Sequence, residues 1–416
     1  MYFYLVGIKG SGMAALAKLL IEEGHIVSGC DIEGDFYTSS GLNCTIDTFS
    51  SMKLKPYYFY IIGNAFKNHK VTTYLLKKNM YVKEYSKFIN SHFNNKFFIS
   101  VAGSHGKTTT TSLISNFIND SSYIVGDGSG SYKNGSSFVL ESCEYKDTFL
   151  NYHPDLSLIL NIDYDHPDYF KTKETYYDSF QRFCDNSKLS IVCGDDDNCK
   201  RLKGNIIKYG INDDNHIVFS YEEKNKIAIL KILGCEYILP FIGKHYAYDA
   251  AGAIIIASLR GVDTSTIKEK LIKYRLPKRR FEENISIGTI MIHDYAHHPT
   301  EIKSVYNTVK SKYINYRICC IFEPHTITRL SSFIDDFKSV LDLFDETYLV
   351  SIFTSLRENK NIVLENELFK ILGYEVMTSE RLLNYNYRSD TIYIFLGAGN
   401  IDKIYKNVIF KKKNCS

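Results

Sequence analysis

Nowhere in the 416 residues does an apolar run reach the roughly 18 residues that a membrane-crossing helix needs. A charge imbalance is missing too: 50 Lys and Arg stand against 47 Asp and Glu, a formal net charge of +3. No broad field therefore recommends nucleic acid or an anionic membrane as partner, and an anionic ligand must be held by local contacts. The ten cysteines fall as singles and one adjacent pair, Cys319 and Cys320, with no Cys-x-x-Cys and no His/Cys spacing suited to zinc. They read as reduced thiols. The opening stretch MYFYLVGIKGSGMAALAKLL has no basic leader before its apolar run and does not read as a signal peptide. These absences predict a soluble cytoplasmic protein with no membrane insertion and no nucleic-acid partner. The length predicts about two to four domains.

What is present centres on residues 97–118, FFISVAGSHGKTTTTSLISNFI, an apolar strand, a small-residue turn and an amphipathic helix. Gly103 and Gly106 let the backbone approach an anion, and the helix that follows aims free N–H groups at it. Lys107 supplies a point charge, and the Thr108 hydroxyl suits Mg²⁺. The spacing departs from the usual phosphate loop: only Ser104 and His105 separate the two glycines, and Val101 stands where a first glycine would.

Ahead of this cradle the chain reads as a strand, Phe3 to Val6, then Gly7, Gly10 and Gly12, then a helix from Met13 to Glu23. This is a dinucleotide-type turn. A second strand, His25 to Gly29, ends near Asp31, where an acidic residue meets a ribose hydroxyl in such folds. A third, Tyr57 to Ile62, ends in Gly63 and Asn64. Ser91 to Lys96 is a polar break. Beyond the cradle, a strand from Ser137 to Leu140 delivers Glu141, and one from Leu156 to Leu160 delivers Asn161, Asp163, Asp165 and His166. Carboxylate and imidazole at strand ends beside a phosphate loop suit a Mg²⁺ site. Residues 191–240 read as short β-like runs, and residues 243–261 as a small-residue helix. After Leu276-Pro277, the basic run Lys278-Arg279-Arg280 is either a solvated linker or a clamp on phosphate. Three further strands, Ile287 to Ile292, Arg317 to Phe322 and Thr391 to Leu396, end in polar clusters holding Asp294, Tyr295, His297, His298, His325 and Arg329. Without a Cys or an H-x-x-x-H helix the histidines argue poorly for zinc. Arg329 suits a carboxylate.

Together GIKGSGM, GSHGKTTTT, LESCEYKDTFLNYHPDLSLILNIDYDHPDYF, KRRF, DYAHHPTE, EPHTITR and GAGNI resemble the Mur ligases along essentially the whole chain. The resemblance implies an α/β fold of three domains: an N-terminal Rossmann-like one over 1–92, a central P-loop ATPase-type mixed sheet over 93–276, and a C-terminal Rossmann-like one over 277–416. It implies ATP and Mg²⁺ as cofactors and UDP-N-acetylmuramate and L-alanine as partners, in a monomer or homodimer. The sugar nucleotide would meet Gly7, Gly10, Ser11, Gly12, Asp31 and Asn64. ATP would meet Gly103 to Thr109, with His245, Asp249 and Arg280. The metal would sit on Thr108, Glu141 and His166. Lys107, Asp294, His297 and Arg329 would be catalytic, and Tyr295, His325 and Arg329 would receive the amino acid.

Several positions depart from the family pattern. The usual Gly-x-His-Asn-x-x-Asn run is Gly243-Lys244-His245-Tyr246-Ala247-Tyr248-Asp249. His293 replaces an Asp, Glu323 a Gln and Asn400 an Asp, and Gln181 stands where sister ligases carry a carbamylated lysine. The rival readings are a sister ligase that adds a peptide or another amino acid, and a weakly catalytic ATP-binding regulator.

Overall fold

A computed structural model of the chain describes residues 1–34, 36–224, 227–286, 288–354 and 358–414. Three α/β sheets make up the fold. Two compact units contain them: one of residues 1–164, 172–241 and 246–275, the other of residues 165–171, 242–245 and 276–416.

In the first unit, the run Tyr2–Val6 is apolar on both faces, as a strand covered on both sides requires. It lies at the centre of a five-stranded parallel sheet ordered Thr45–Thr48, Ile26–Asp31, Tyr2–Val6, Phe59–Ile62, Val82–Glu84. The short strand Thr45–Thr48 has no counterpart in the sequence reading, so the expected third strand is the fourth. The helix Ser11–Glu22 starts two residues earlier than its apolar pattern suggests, with Gly10 as its N-cap.

The same unit holds a ten-stranded sheet built around Phe97–Ala102, which pairs in parallel with Leu156–Ile159 on one side and Ser137–Glu141 on the other. Leu189–Cys193 and Ile206–Gly210 extend it in parallel. Ile217–Lys224, Ile227–Ile232 and Cys235–Leu239 then close that side as an antiparallel meander. Because the central strands run the same way, the cradle, Glu141 and Asn161 all emerge at one carboxyl edge, where ligands bind in open α/β sheets.

The second unit carries a six-stranded sheet ordered Glu282–Ser286, Thr289–Asp294, Thr391–Leu396, Arg317–Phe322, Glu346–Leu349, Glu375–Val376. Arg317–Phe322 and Thr391–Leu396 occupy the expected residues. The strand expected from Ile287 begins outside the described residues at that position. From Thr289 it runs two residues past its expected end and takes in His293 and Asp294. No helix among the described residues is long and apolar enough to cross a membrane.

Candidate active site

The cradle is built by side chains that lock its turn. Asn161 accepts a hydrogen bond from the His105 amide at 2.8 Å and donates one to the His105 carbonyl at 3.1 Å. Ser104 Oγ donates to the Asp163 carbonyl at 2.7 Å and lies 2.8 Å from the Tyr176 hydroxyl. His105 Nε2 lies 2.9 Å from Asp163 Oδ2. Gly106 is the N-cap of helix Lys107–Phe117 at φ +81, and a Cβ there would lie 2.3 Å from Asp249 Oδ1. Only glycine fits that combination of left-handed backbone and close carboxylate.

Lys107 Nζ reaches the Ser104 carbonyl at 3.0 Å, the Gly103 carbonyl, and Glu144 Oε2 at 3.0 Å. Burial acts to lower the ammonium pKa, but Glu144, Cys143 and Glu141 outweigh it and hold the group charged. Thr108 Oγ1 donates to Glu141 Oε1 at 3.1 Å, while Glu141 Oε2 accepts from the Gly126 amide at 2.6 Å. The structure thus joins Thr108 and Glu141, two hard oxygen donors of the kind Mg²⁺ takes. The Thr109 side chain is buried.

At the first sheet, Gly7 adopts φ +84 and a Cβ there would strike the Phe66 ring at 2.4 Å. Ser11 opens the helix after Gly10. Asp31, expected at a ribose, turns inward instead. Its Oδ2 accepts from the Lys9 amide at 2.7 Å and its Oδ1 from the Ile32 amide at 2.8 Å, and only 3% of the residue is exposed. The carboxylate braces its own loop because two backbone donors reach it first. Asn64 Nδ2 donates to Thr148 Oγ1 at 3.1 Å.

In the second unit, Arg329 and Asp165 form a buried fork-to-fork pair. Nε reaches Oδ1 and NH2 reaches Oδ2, each at 2.9 Å, and NH1 faces His325 Nδ1 at 2.9 Å. Burial would raise the Asp165 carboxyl, but His166, Arg329 and His298 hold it well below the usual carboxylate range. Arg329, expected to meet a substrate carboxylate, has both parallel hydrogen bonds of its guanidinium on Asp165 here. His166 adopts φ +57, takes its amide hydrogen bond to Asp165 Oδ1 at 2.6 Å, and keeps Nε2 3.8 Å from Asp165 Oδ2.

Asp294 is likewise a brace, with Oδ2 accepting from the Phe281 amide and Oδ1 from the Ala296 amide, both at 2.8 Å. Burial raises its carboxyl pKa. His297 Nδ1 lies 3.0 Å from the Tyr295 carbonyl and 3.2 Å from Glu301 Oε2, and burial pushes its imidazole down to about 3. Tyr295 lies under two guanidinium groups, Arg279 at 4.7 Å and Arg280 at 5.1 Å from its ring centre. The basic run at Lys278 thus places two of its three cations on an aromatic face. Burial first, then Arg280, push His245 down to about 4. Glu323 caps helix Ile401–Asn414, its oxygens accepting from the Asn400 amide at 3.0 Å and the Ile401 amide at 3.1 Å. Its departure from the family pattern is used inside the fold.

Sequence reasoning placed Asp165 among the strand-end groups beside the cradle and paired neither Glu144 with Lys107 nor Asp165 with Arg329. Glu144 lies 37 residues along the chain from Lys107, so its only local signal was its place just past the strand that ends at Glu141. Asp165 pairs across 164 residues and left none.

A phosphate-type cradle on one α/β sheet, with an α/β sheet before it and another after it in the chain, defines a class, and comparison with known proteins specifies it. Residues 2–96 match the pattern described as the Mur ligase family, catalytic domain, and residues 127–257 match the Mur ligase middle domain. The chain belongs to the Mur ligase family and is a ligase of peptidoglycan precursor synthesis. It is similar to UDP-N-acetylmuramate–L-alanine ligase of Streptococcus pyogenes serotype M28, at 36% identity over 96% of this chain and 95% of that one. Its fold is similar to a solved UDP-N-acetylmuramate-alanine ligase from Thermotoga maritima, with a TM-score of 0.83 at 21% identity over the full length of both chains. A murein peptide ligase from Psychrobacter arcticus follows at 0.72 and 20%, covering 100% of this chain and 99% of that one.

Proposed function

We propose that this ligase joins L-alanine to the lactoyl carboxylate of UDP-N-acetylmuramate at the expense of ATP. The observation that carries the reading is the end-to-end match to an L-alanine-adding relative, supported by an intact cradle with a charged Lys107. A carboxylate is a poor electrophile. A carboxylate oxygen attacks the γ-phosphorus, the bond to ADP breaks, and an acyl phosphate forms. The alanine amine then attacks the carbonyl carbon, loses a proton, and expels phosphate. Domains 1–92, 93–276 and 277–416 would take the sugar nucleotide, ATP and the amino acid.

This chain's residues supply position and charge. Lys107 exchanges Glu144 for phosphate oxygens, donating hydrogen bonds where negative charge develops. Glu144 keeps the ammonium protonated until then. Thr108 and Glu141 would hold Mg²⁺, which when bound neutralises phosphate charge. Gly7, Gly10 and Gly12 would frame a pyrophosphate at the start of helix Ser11–Glu22. Arg329 and Asp165 together fix the segment 165–171, and His325 leans on Arg329 for its orientation.

The test is phosphate release from ATP with UDP-N-acetylmuramate and, in turn, L-alanine, glycine, L-serine and a tripeptide. L-Alanine should give the highest kcat/KM. A preference for the tripeptide would replace this reading by the peptide-adding one, and no release with any acceptor would leave only nucleotide binding.

A further inference from the structure

At the amino edge of the first sheet, across its strands from the glycine-rich turn, three metal-ligating side chains converge. Glu23 ends the helix Ser11–Glu22 as its C-cap, Gly24 reverses the chain at φ +88, and His25 follows at once, before the strand Ile26–Asp31. Hydrogen bonds from the Gly24 amide to Ile21 and from the His25 amide to Leu20, both 3.0 Å, fix that turn. His92 arrives from elsewhere, as the last residue of helix Tyr85–His92. Glu23 Oε2 lies 2.8 Å from His92 Nε2 and 3.4 Å from His25 Nε2, and one ligand atom from each of the three falls within 4.8 Å of the other two.

The rings are held in place. His92 stacks on Phe88 at 4.8 Å and meets Phe93 edge-on at 4.8 Å, while His25 lies 5.2 Å from Phe3. All three side chains are mostly buried, with exposures of 16%, 19% and 14% for His25, Glu23 and His92. The nearby Lys96 ammonium is spent on the Lys133 and Gly135 carbonyls, at 2.8 and 2.7 Å.

We propose that Glu23, His25 and His92 form a zinc site. Two imidazoles and one carboxylate are a donor set that Zn²⁺ takes, with water as the fourth ligand. Bonds of about 2.0 to 2.2 Å in a tetrahedron separate ligand atoms by about 3.4 Å, so His25 and Glu23 already stand at the right spacing and His92 needs to back away by about 0.6 Å. Oxygen-only cations such as Mg²⁺ are excluded by the two imidazoles. The ion would tie the end of one helix, the start of a strand and the end of a second helix, a structural role remote from the cradle. The competing account is a hydrogen-bonded Glu–His network that needs no ion.

Zn²⁺ alone, titrated into the purified full chain against a chromogenic chelator, separates the two. Wild type should bind one more equivalent than His92→Gln, with the extra site weakened at least about 100-fold in the variant, since loss of a ligand exceeds the effect of losing an outer partner. Zn²⁺ should raise the Tm of wild type and not that of the variant, and Mg²⁺ should not replace it. If His92→Gln fails to fold, Glu23→Gln and His25→Gln make the same comparison. Co²⁺ at the site should give the intense visible bands of four-coordinate cobalt. Equal zinc stoichiometry and affinity in wild type and variants, or no zinc bound by wild type at all, overturns the proposal.

Discussion

Replacing Asp165 by Asn leaves the Arg329 guanidinium buried with half of its partner gone. Arg329 is 3% exposed and Asp165 4%, and the pair shares two parallel 2.9 Å hydrogen bonds. Removing one member of a buried pair costs about 3 to 5 kcal/mol, because the survivor's charge has no water to replace the lost one. Asn keeps the volume and one carbonyl acceptor, so Asp165→Asn should sit near the low end, about 3 kcal/mol, with Asp165→Ala above it. Urea unfolding followed by far-ultraviolet circular dichroism measures both. The double variant Asp165→Asn/Arg329→Gln should cost less than the sum of the singles, with a coupling of about 2 kcal/mol. Acid behaviour gives a second readout. The folded carboxyl lies well below its ordinary 3.8, so its stabilisation is complete above that value and lost as pH falls through the depressed one. The Asn variant lacks that part of the acid loss. A cost within about 0.5 kcal/mol for Asp165→Asn, additive with Arg329→Gln, would refute the buried-pair account.

Other expectations follow from the same geometry. Lys107→Ala should abolish turnover in a folded protein, a loss of about 3 kcal/mol or more of transition-state stabilisation, read by phosphate release; substantial residual ligation would remove Lys107 from the mechanism. Gly10→Val should weaken UDP-N-acetylmuramate binding in calorimetry and leave an ATP analogue's affinity unchanged. Its backbone is ordinary at φ −62 and a Cβ there meets only the Gly7 carbonyl, at 3.3 Å, so equal loss of both ligands would contradict the assignment. Burial raises the Glu323 carboxyl from 4.5 to about 7. Its protonation therefore stabilises the fold fully below 4.5, and that contribution, about 3 kcal/mol, is lost as pH rises through 7. Denaturation midpoints of wild type and Glu323→Gln between pH 4 and 8 should diverge accordingly, and parallel curves would show that Glu323 titrates normally.

Much of the fold was legible because its signals are local. The run Phe97–Ala102, the turn at Gly103 to Gly106 and the helix from Lys107 announce themselves within about twenty residues through apolar runs, glycine and helix entry. The same holds for Arg317–Phe322 and Thr391–Leu396, buried strands of continuous apolar residues. Thr45–Thr48 escaped because TIDT is short, half-buried and carries no apolar alternation. At the site, residue identities were readable but partners were not. Asp31, Asp294 and Glu323 look like ligand-facing carboxylates at strand ends, yet each accepts backbone amides from its own loop or a neighbouring one, a choice set by three-dimensional proximity. Arg329 announced a carboxylate partner, and the structure pairs it with Asp165, a partner 164 residues away that the sequence did not name.

The central claim is that ATP activates the sugar-linked carboxylate before the amine attacks. UDP-N-acetylmuramate labelled with oxygen-18 in its lactoyl carboxylate, turned over with ATP and L-alanine, tests it by mass analysis of the phosphate released. Transfer of one labelled oxygen into inorganic phosphate per amide formed is the expected result. Amide formation with unlabelled phosphate would contradict the acyl phosphate route.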